Sequence, residues 1–580
     1  MAKEDRTSQL CAIRGMTAFW LSASKPSSRQ TLPEPGELFR GNFFMWHRPV
    51  GSSTSTAPAD IEKWSRFLME KPGLWGLFMI VCLLVDIISV GCGRQGSPSV
   101  ATSPAEQTPA NWKSSHQARE YWYLQSLFGE AVGYERMSMR FIDSPSPSCR
   151  EVEGEVVLRV KRMGTPVSVV TRYRALETCE GHPREFTVTV EQGKALAEYR
   201  GRVDGNRLTL ETIVAGRTAQ QTFDLPADCR GFLGLQDCLW EKPMRPGEVR
   251  EFSCLMLGVN GVCRAKAHAR DYEVIQLSGR ESRLLRIEIL YTLPGNQRLE
   301  QTAWSDSSGM IVKQRMDSPP VEAVLVSKER ALQETPSSLD LIEDIRIPAR
   351  APGDLTKARR VVYRVEGPAE ELAKLLASGT DQQVQRLGDD ALELAVTPRR
   401  SGNNLASCHE QATRDEIEPN LWIQSDASQI RAIAQSIAED AKGPAALAVA
   451  LERYVFQTVK NRDYNQAFLS ALDVLRSQEG DCTEHAVLLA ALARASKIPS
   501  RVAVGLVYHR DAFYYHMWTE LLIDGCWIGL DATRGNGGID AGYIKFGHDS
   551  LAGSDAMTAF LPMTKLLGQI KIEIVKVEDD

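Results

Sequence analysis

Several common function classes are missing their marks in this chain. No Gly-rich loop precedes a helix, so the usual cradle for a nucleotide phosphate is absent. No Cys or His cluster has metal-ligand spacing: Cys229 and Cys238, like Cys254 and Cys263, stand nine apart instead of in a C-x-x-C pair. No group of adjacent carboxylates suggests a calcium loop. The formal net charge is −6, and no basic stretch is interleaved with aromatics, which excludes nucleic acid as an expected partner. No internal repeat is visible. The expectation is a protein that needs no cofactor and no metal. With 580 residues, 43% hydrophobic and 24% charged, the composition is that of a globular protein with room for about three or four domains.

Three segments near the C-terminal end carry the chemistry. They are Gly480-Asp481-Cys482-Thr483-Glu484-His485-Ala486, then His516-Met517-Trp518-Thr519-Glu520, then Trp527-Ile528-Gly529-Leu530-Asp531-Ala532-Thr533. Asp481 is a good helix N-cap, and Glu484 three residues later makes a D-x-x-E variant of the capping box. Residues 482–496 (CTEHAVLLAALARAS) predict a largely buried helix. Cys482 then takes the first helical position, where unpaired amides and the helix dipole favour an anion. A thiol there is expected to ionise more readily, and those amides to receive an oxyanion. Downstream, Asp524-Gly525 between two apolar runs predicts a two-residue hairpin with Ile523 opposite Cys526. Extended, that register puts Trp518 opposite Asp531 and His516 opposite Thr533. His516 and Asp531 become diagonal neighbours on one face, about 7–8 Å apart at Cα and within side-chain reach.

At these residues the chain resembles the transglutaminase-like superfamily, whose papain-like core places Cys on a helix and His and Asp on the following strands. The matching stretches are GDCTEHAVLLAALARASKIPSRVAVGLVY, HMWTELLIDGCWIGLDAT and the trailing Gly542-Tyr543-Ile544-Lys545. The resemblance starts at about Asp426 and spans roughly a quarter of the chain. It implies Cys482 as nucleophile, His516 as general base and acid, and Asp531 as the residue orienting His516. It also implies glutamine acyl transfer to amines, peptide or amide hydrolysis or, in some members, no catalysis.

Other candidates have plainer readings. His485 is expected to pack or hydrogen-bond within the helix, because His516 has the Asp partner. Cys526 reads as a strand residue, and Trp518 and Trp527 as core or cleft wall. Tyr464 sits where relatives carry a polar or aromatic cleft residue, and His548 has no assigned role. Cys229, Cys238, Cys254 and Cys263, with Cys149 and Cys179, fit paired disulfides as well as free thiols.

Residues 74–91 (LWGLFMIVCLLVDIISVG) are apolar apart from Asp86 and Ser89. They read as a signal segment or a single transmembrane anchor. Ser89-Val90-Gly91-Cys92 resembles a bacterial lipoprotein cleavage box, which makes Cys92 a lipid-attachment residue; Ser89 departs from the usual Leu. Alternating runs at 155–161, 186–190, 207–213 and 284–290 predict a curved antiparallel sheet.

The expected fold class is α+β: a C-terminal transglutaminase-like (papain-like) domain preceded by antiparallel β-rich domains. Residues 1–68 are expected to be disordered or to precede the true start, 69–92 to form the signal or anchor segment, and 93–116 a linker. A β-rich domain covers 117–332, a β-containing linker domain 333–412, and the catalytic domain 413–580. The expected protein is a membrane-anchored thiol enzyme of the cell envelope, outside the cytoplasm. It would act on amide bonds of a protein or peptide substrate through an acyl-enzyme. The alternative is a non-catalytic envelope scaffold that keeps the fold.

Overall fold

The computed structural model describes residues 118–142, 150–277, 279–333, 337–376, 381–399, 408–460, 469–553 and 561–579. The apolar segment 74–91, Cys92, Cys149 and Tyr464 lie outside them. No described helix is long and apolar enough to cross a membrane.

Fourteen strands, β1 (Arg119–Leu127), β2 (Glu130–Phe141), β3 (Arg150–Arg162), β4 (Thr165–Glu177), β5 (Pro183–Gln192), β6 (Ala195–Asp204), β7 (Arg207–Val214), β8 (Arg217–Asp224), β9 (Val249–Met256), β10 (Val259–Leu277), β11 (Arg280–Thr292), β12 (Arg298–Ser305), β13 (Ile311–Asp317) and β14 (Pro320–Val326), join in one sheet in the order β8-β7-β6-β5-β4-β3-β2-β1-β14-β13-β12-β11-β10-β9. The neighbours pair antiparallel, as the alternating sequence predicts. In β4 (Thr165–Glu177), Val167, Val169, Tyr173 and Ala175 are buried while Ser168, Arg172 and Arg174 face solvent, which is a strand with one wet face. The turn from β3 (Arg150–Arg162) to β4 is Met163-Gly164, with φ of 49° and 77°. Two positive φ values give the primed turn whose twist matches a hairpin. Asp340 secures it, with Oδ1 accepting the Met163 N–H (3.1 Å) and Oδ2 the Gly164 N–H (2.6 Å).

A second sheet joins β16 (Arg360–Glu366), β17 (Gln382–Arg386), β18 (Ala391–Val396) and β23 (Lys571–Glu578) in the order β17-β18-β16-β23. The segment expected as a linker domain therefore shares its sheet with the C-terminal strand. A third sheet has the order β15-β20-β19-β22, from β15 (Ile347–Pro348), β19 (Ser500–His509), β20 (Ala512–Ile523) and β22 (Tyr543–Asp549), with β21 (Cys526–Leu530) paired to β20.

Four helices back this third sheet: α1 (Ser428–Asp440), α2 (Pro444–Thr458), α3 (Ala471–Ser477) and α4 (Cys482–Ala495). Every residue of α4 from Cys482 to Arg494 is buried. A helix apolar on all sides must be enclosed, and α4 packs against β19, β20 and the other three helices.

The cysteines divide between the two states the sequence left open. Cys229, Cys238, Cys254 and Cys263 are free thiols, whereas Cys179 is disulfide-bonded. Cys254 and Cys263 face each other across β9 (Val249–Met256) and β10 (Val259–Leu277). Cys526, read as a plain strand residue, is bonded to Cys408, 118 residues away, with the Cα atoms 5.2 Å apart.

Candidate active site

The start of α4 forms as its local sequence predicts. Asp481 Oδ1 accepts the Thr483 N–H at 3.1 Å, and Glu484 Oε2 accepts the Asp481 N–H at 2.9 Å, completing the capping box. Glu484 Oε1 also takes the Leu469 N–H at 3.2 Å, tying the start of α3 to this cap. Cys482 is the first residue of the helix, and that helix packs against β20, the strand that carries His516.

The predicted hairpin positions the other two groups. Asp524 and Gly525 have φ of 50° and 78°, Ile523 faces Cys526, and the ladder runs on to the Thr519–Leu530 pair. Asp531 follows one residue after the strand ends. His516 Nε2 lies 2.8 Å from Asp531 Oδ2. Cys482, His516 and Asp531 are only 1%, 3% and 1% exposed, so the site is enclosed.

Asp531 is held by more than His516. Tyr543 donates its hydroxyl to Oδ2 at 2.5 Å, and Thr533 donates its N–H (2.9 Å) and hydroxyl (2.7 Å) to Oδ1. The Asp531 N–H donates to Glu452 Oε1 at 3.0 Å, and Glu452 Oε2 accepts the Gly537 N–H at 2.6 Å. Burial alone would raise the Asp531 pKa. The His516 charge and hydrogen bond, with Arg534 and Tyr543, outweigh it and hold this carboxyl well below the usual range. Glu452 goes the other way: burial and then the Asp531 charge push it up to about 7.

The thiol corrects an expectation. Burial, followed by the charge of Asp481, raises the Cys482 pKa well above its ordinary value, although the Met517 amide lowers it. Desolvation here acts against the advantage expected of a helix N-terminus.

Tyr543, Thr533 and Glu452 were missed as site residues. Thr533 had a local signal, since Asp-x-Thr forms a side-chain turn of this kind. Tyr543 stands in the stretch Gly542-Tyr543-Ile544-Lys545 with no local pattern that points it at Asp531, and Glu452 stands in an apolar helix whose sequence does not say where it points. His485 bonds through Nδ1 to the Asp481 carbonyl at 2.6 Å, one turn back, so it stays within α4. Trp518 is buried, its ring 6.5 Å from His516 and 22° from parallel, while Arg501 lies 3.9 Å over Trp527. His548, opposite Ala503, is lowered to about 4 by burial and by Lys545 and Arg501. Among the described residues, no group of three or more His, Cys, Asp or Glu is arranged to hold a metal ion.

The site thus holds a buried thiol at a helix start, a His on the strand that packs against that helix, and a carboxylate bonded to that His. Residues 431–532 match the family model of the transglutaminase-like superfamily, and this part of the chain is a transglutaminase-like domain. Among solved structures, the chain is similar to a candidate cysteine protease from Cytophaga hutchinsonii, at 16% identity, TM-score 0.24, over 37% of this chain and 83% of that one. It is also similar to a β-barrel-like protein from Brucella abortus, at 10% identity, TM-score 0.28, over 36% and 95%. A candidate protease from Parabacteroides distasonis follows at 11% identity, TM-score 0.16, over 58% and 64%. These are distant likenesses. No curated protein matches the chain.

Proposed function

We propose that the chain is a thiol enzyme acting on amide or peptide bonds, with Cys482, His516 and Asp531 as its triad. The observation that carries this reading is the His516–Asp531 bond on β20, the strand against which the helix that begins at Cys482 packs. Asp531 takes Nε2 of the imidazole, so protons exchanged with the sulfur or the leaving group pass through Nδ1. The sulfur attacks the carbonyl carbon as His516 removes the thiol proton. Burial opposes ionisation of the Cys482 thiol, and His516 acts as its general base during attack. Asp481 already binds the amides of Thr483 and Glu484, which leaves the amide of Cys482 itself to receive the oxyanion. His516 then protonates the departing amine, leaving a thioester. Water or a second amine attacks that thioester, giving hydrolysis or acyl transfer; of the two we favour hydrolysis. The domain is further proposed to work outside the cytoplasm, tied to a membrane through the apolar segment at 74–91, with Cys92 as a lipid-attachment residue.

Enclosure of the nucleophile favours one rival, a scaffold that keeps the fold without catalysis. Acylation separates the two. A p-nitrophenyl acyl ester is expected to leave a thioester mass adduct on Cys482, absent in Cys482→Ala and formed at least about 10³-fold more slowly in His516→Ala. Loss of that adduct to water or to an added primary amine then reports the acceptor. No adduct on the wild type, or one that persists in Cys482→Ala, would leave the scaffold.

A further inference from the structure

The most distant contact made by the start of α4 comes from outside the transglutaminase-like domain. Arg162, the last residue of β3, is 319 residues before Asp481, and its Nη2 lies 2.6 Å from Asp481 Oδ2. Both side chains are buried, at 3% and 2% exposure. The hairpin that carries Arg162 is fixed on the following segment. Besides the Asp340 bonds to its turn, Lys161 donates its N–H to Leu339 and accepts that of Leu341, each at 2.8 Å. Lys194–Glu479, at 2.7 Å, links a neighbouring hairpin to the same domain, and Arg217–Asp426, at 2.9 Å, links another to the segment just before it.

Asp481 has two jobs that conflict. Its Oδ1 caps α4, but its negative charge stands next to the sulfur and opposes a thiolate. A cation on the other oxygen offsets that charge and holds the carboxylate in its capping orientation. We propose that Arg162 is a positioning residue of the active site, supplied by the β-rich region, which fixes Asp481 and neutralises it beside the Cys482 sulfur. The proposal rests on Cys482 being the nucleophile. The transglutaminase-like domain is thereby completed by a residue that its own stretch of sequence does not contain.

The test uses the full chain and the pH dependence of Cys482 alkylation by iodoacetamide, read by peptide mass spectrometry. Arg162→Met is expected to move the midpoint up by about one pH unit, making alkylation about tenfold slower at a fixed lower pH. In an Asp481→Asn background, where the cap remains but its charge is gone, the same substitution is expected to move the midpoint by less than about 0.3 unit. Equal shifts in both backgrounds would mean that Arg162 only anchors the hairpin, and no shift in either would mean that it does nothing; each result overturns the proposal. Arg162→Lys keeps the charge and is expected within about 0.3 unit of wild type. A full-unit shift in that variant overturns the charge role even if Arg162→Met does not fold. A different result defeats the triad reading instead: wild-type Cys482 alkylating no faster than in His516→Ala.

Discussion

Both the large sheet and the transglutaminase-like domain bury charge, but they connect it differently. In the sheet, Arg150 is 1% exposed and bonds Glu177 through Nε and Asp237 through Nη1 and Nη2, at 2.7 and 2.8 Å. A rigid fork of donors faces two carboxylates, with Glu177 Oε1 left without a hydrogen bond. Gly181 and Gly231 pass so close to these side chains that a Cβ on either would overlap them. In the other domain, the Asp531 carboxylate gathers Tyr543, Thr533 and His516, and His516 stands on the strand against which the Cys482 helix packs. The Arg150 network holds strands and a helix together. On the function proposed above, the second network has a proton to move, whereas the first only holds structure.

The largest break in the comparison should come from Arg150→Met. It strands two buried carboxylates and is expected to cost roughly 3–5 kcal/mol in denaturant unfolding. Below the unfolding transition, Cys482 alkylation should keep its wild-type rate; a slowed rate would join two networks held here to be independent. Glu452 sharpens the second network through pH. Its folded pKa of about 7 lies above the ordinary value of about 4.3, so the native state holds the extra proton. Stability from this group is complete below about pH 4.3 and is lost as pH rises through 7, on the order of 3–4 kcal/mol in all. Glu452→Gln should flatten that decline in unfolding measured from pH 5 to 8. Tyr543→Phe tests the smallest effect. It removes one donor to Asp531 but keeps the ring against Trp518, 5.4 Å away and near perpendicular. Acylation of Cys482 should slow about tenfold, with little change in thermal unfolding.

Legibility followed distance along the chain. The Asp481 cap and the Asp524-Gly525 turn are local signals, and each set the geometry around one site residue. The hairpin register followed from its turn and placed Asp531 within reach of His516. Contacts between distant positions left no comparable trace. Cys408–Cys526 spans 118 residues, Glu452–Asp531 spans 79 and Arg162–Asp481 spans 319, and no local pattern ties such pairs. The thiol shows the same limit in its energetics. Its helix position could be read from Asp481 and Glu484, but its burial depends on how α4 packs, and burial decides its ionisation. In the large sheet, alternation gave the strands and their wet face without giving the strand order.

The most direct test lies inside one molecule. Cys254 and Cys263 are buried thiols whose pKa burial also raises, and both stand in the large sheet, away from His516. Iodoacetamide labelling of the native full chain, resolved by peptide, compares all three at once. Cys482 should label at least about tenfold faster than either at neutral pH, and His516→Ala should bring it down to their level. Equal labelling of the three in the wild type would contradict the triad and leave Cys482 as one more buried thiol.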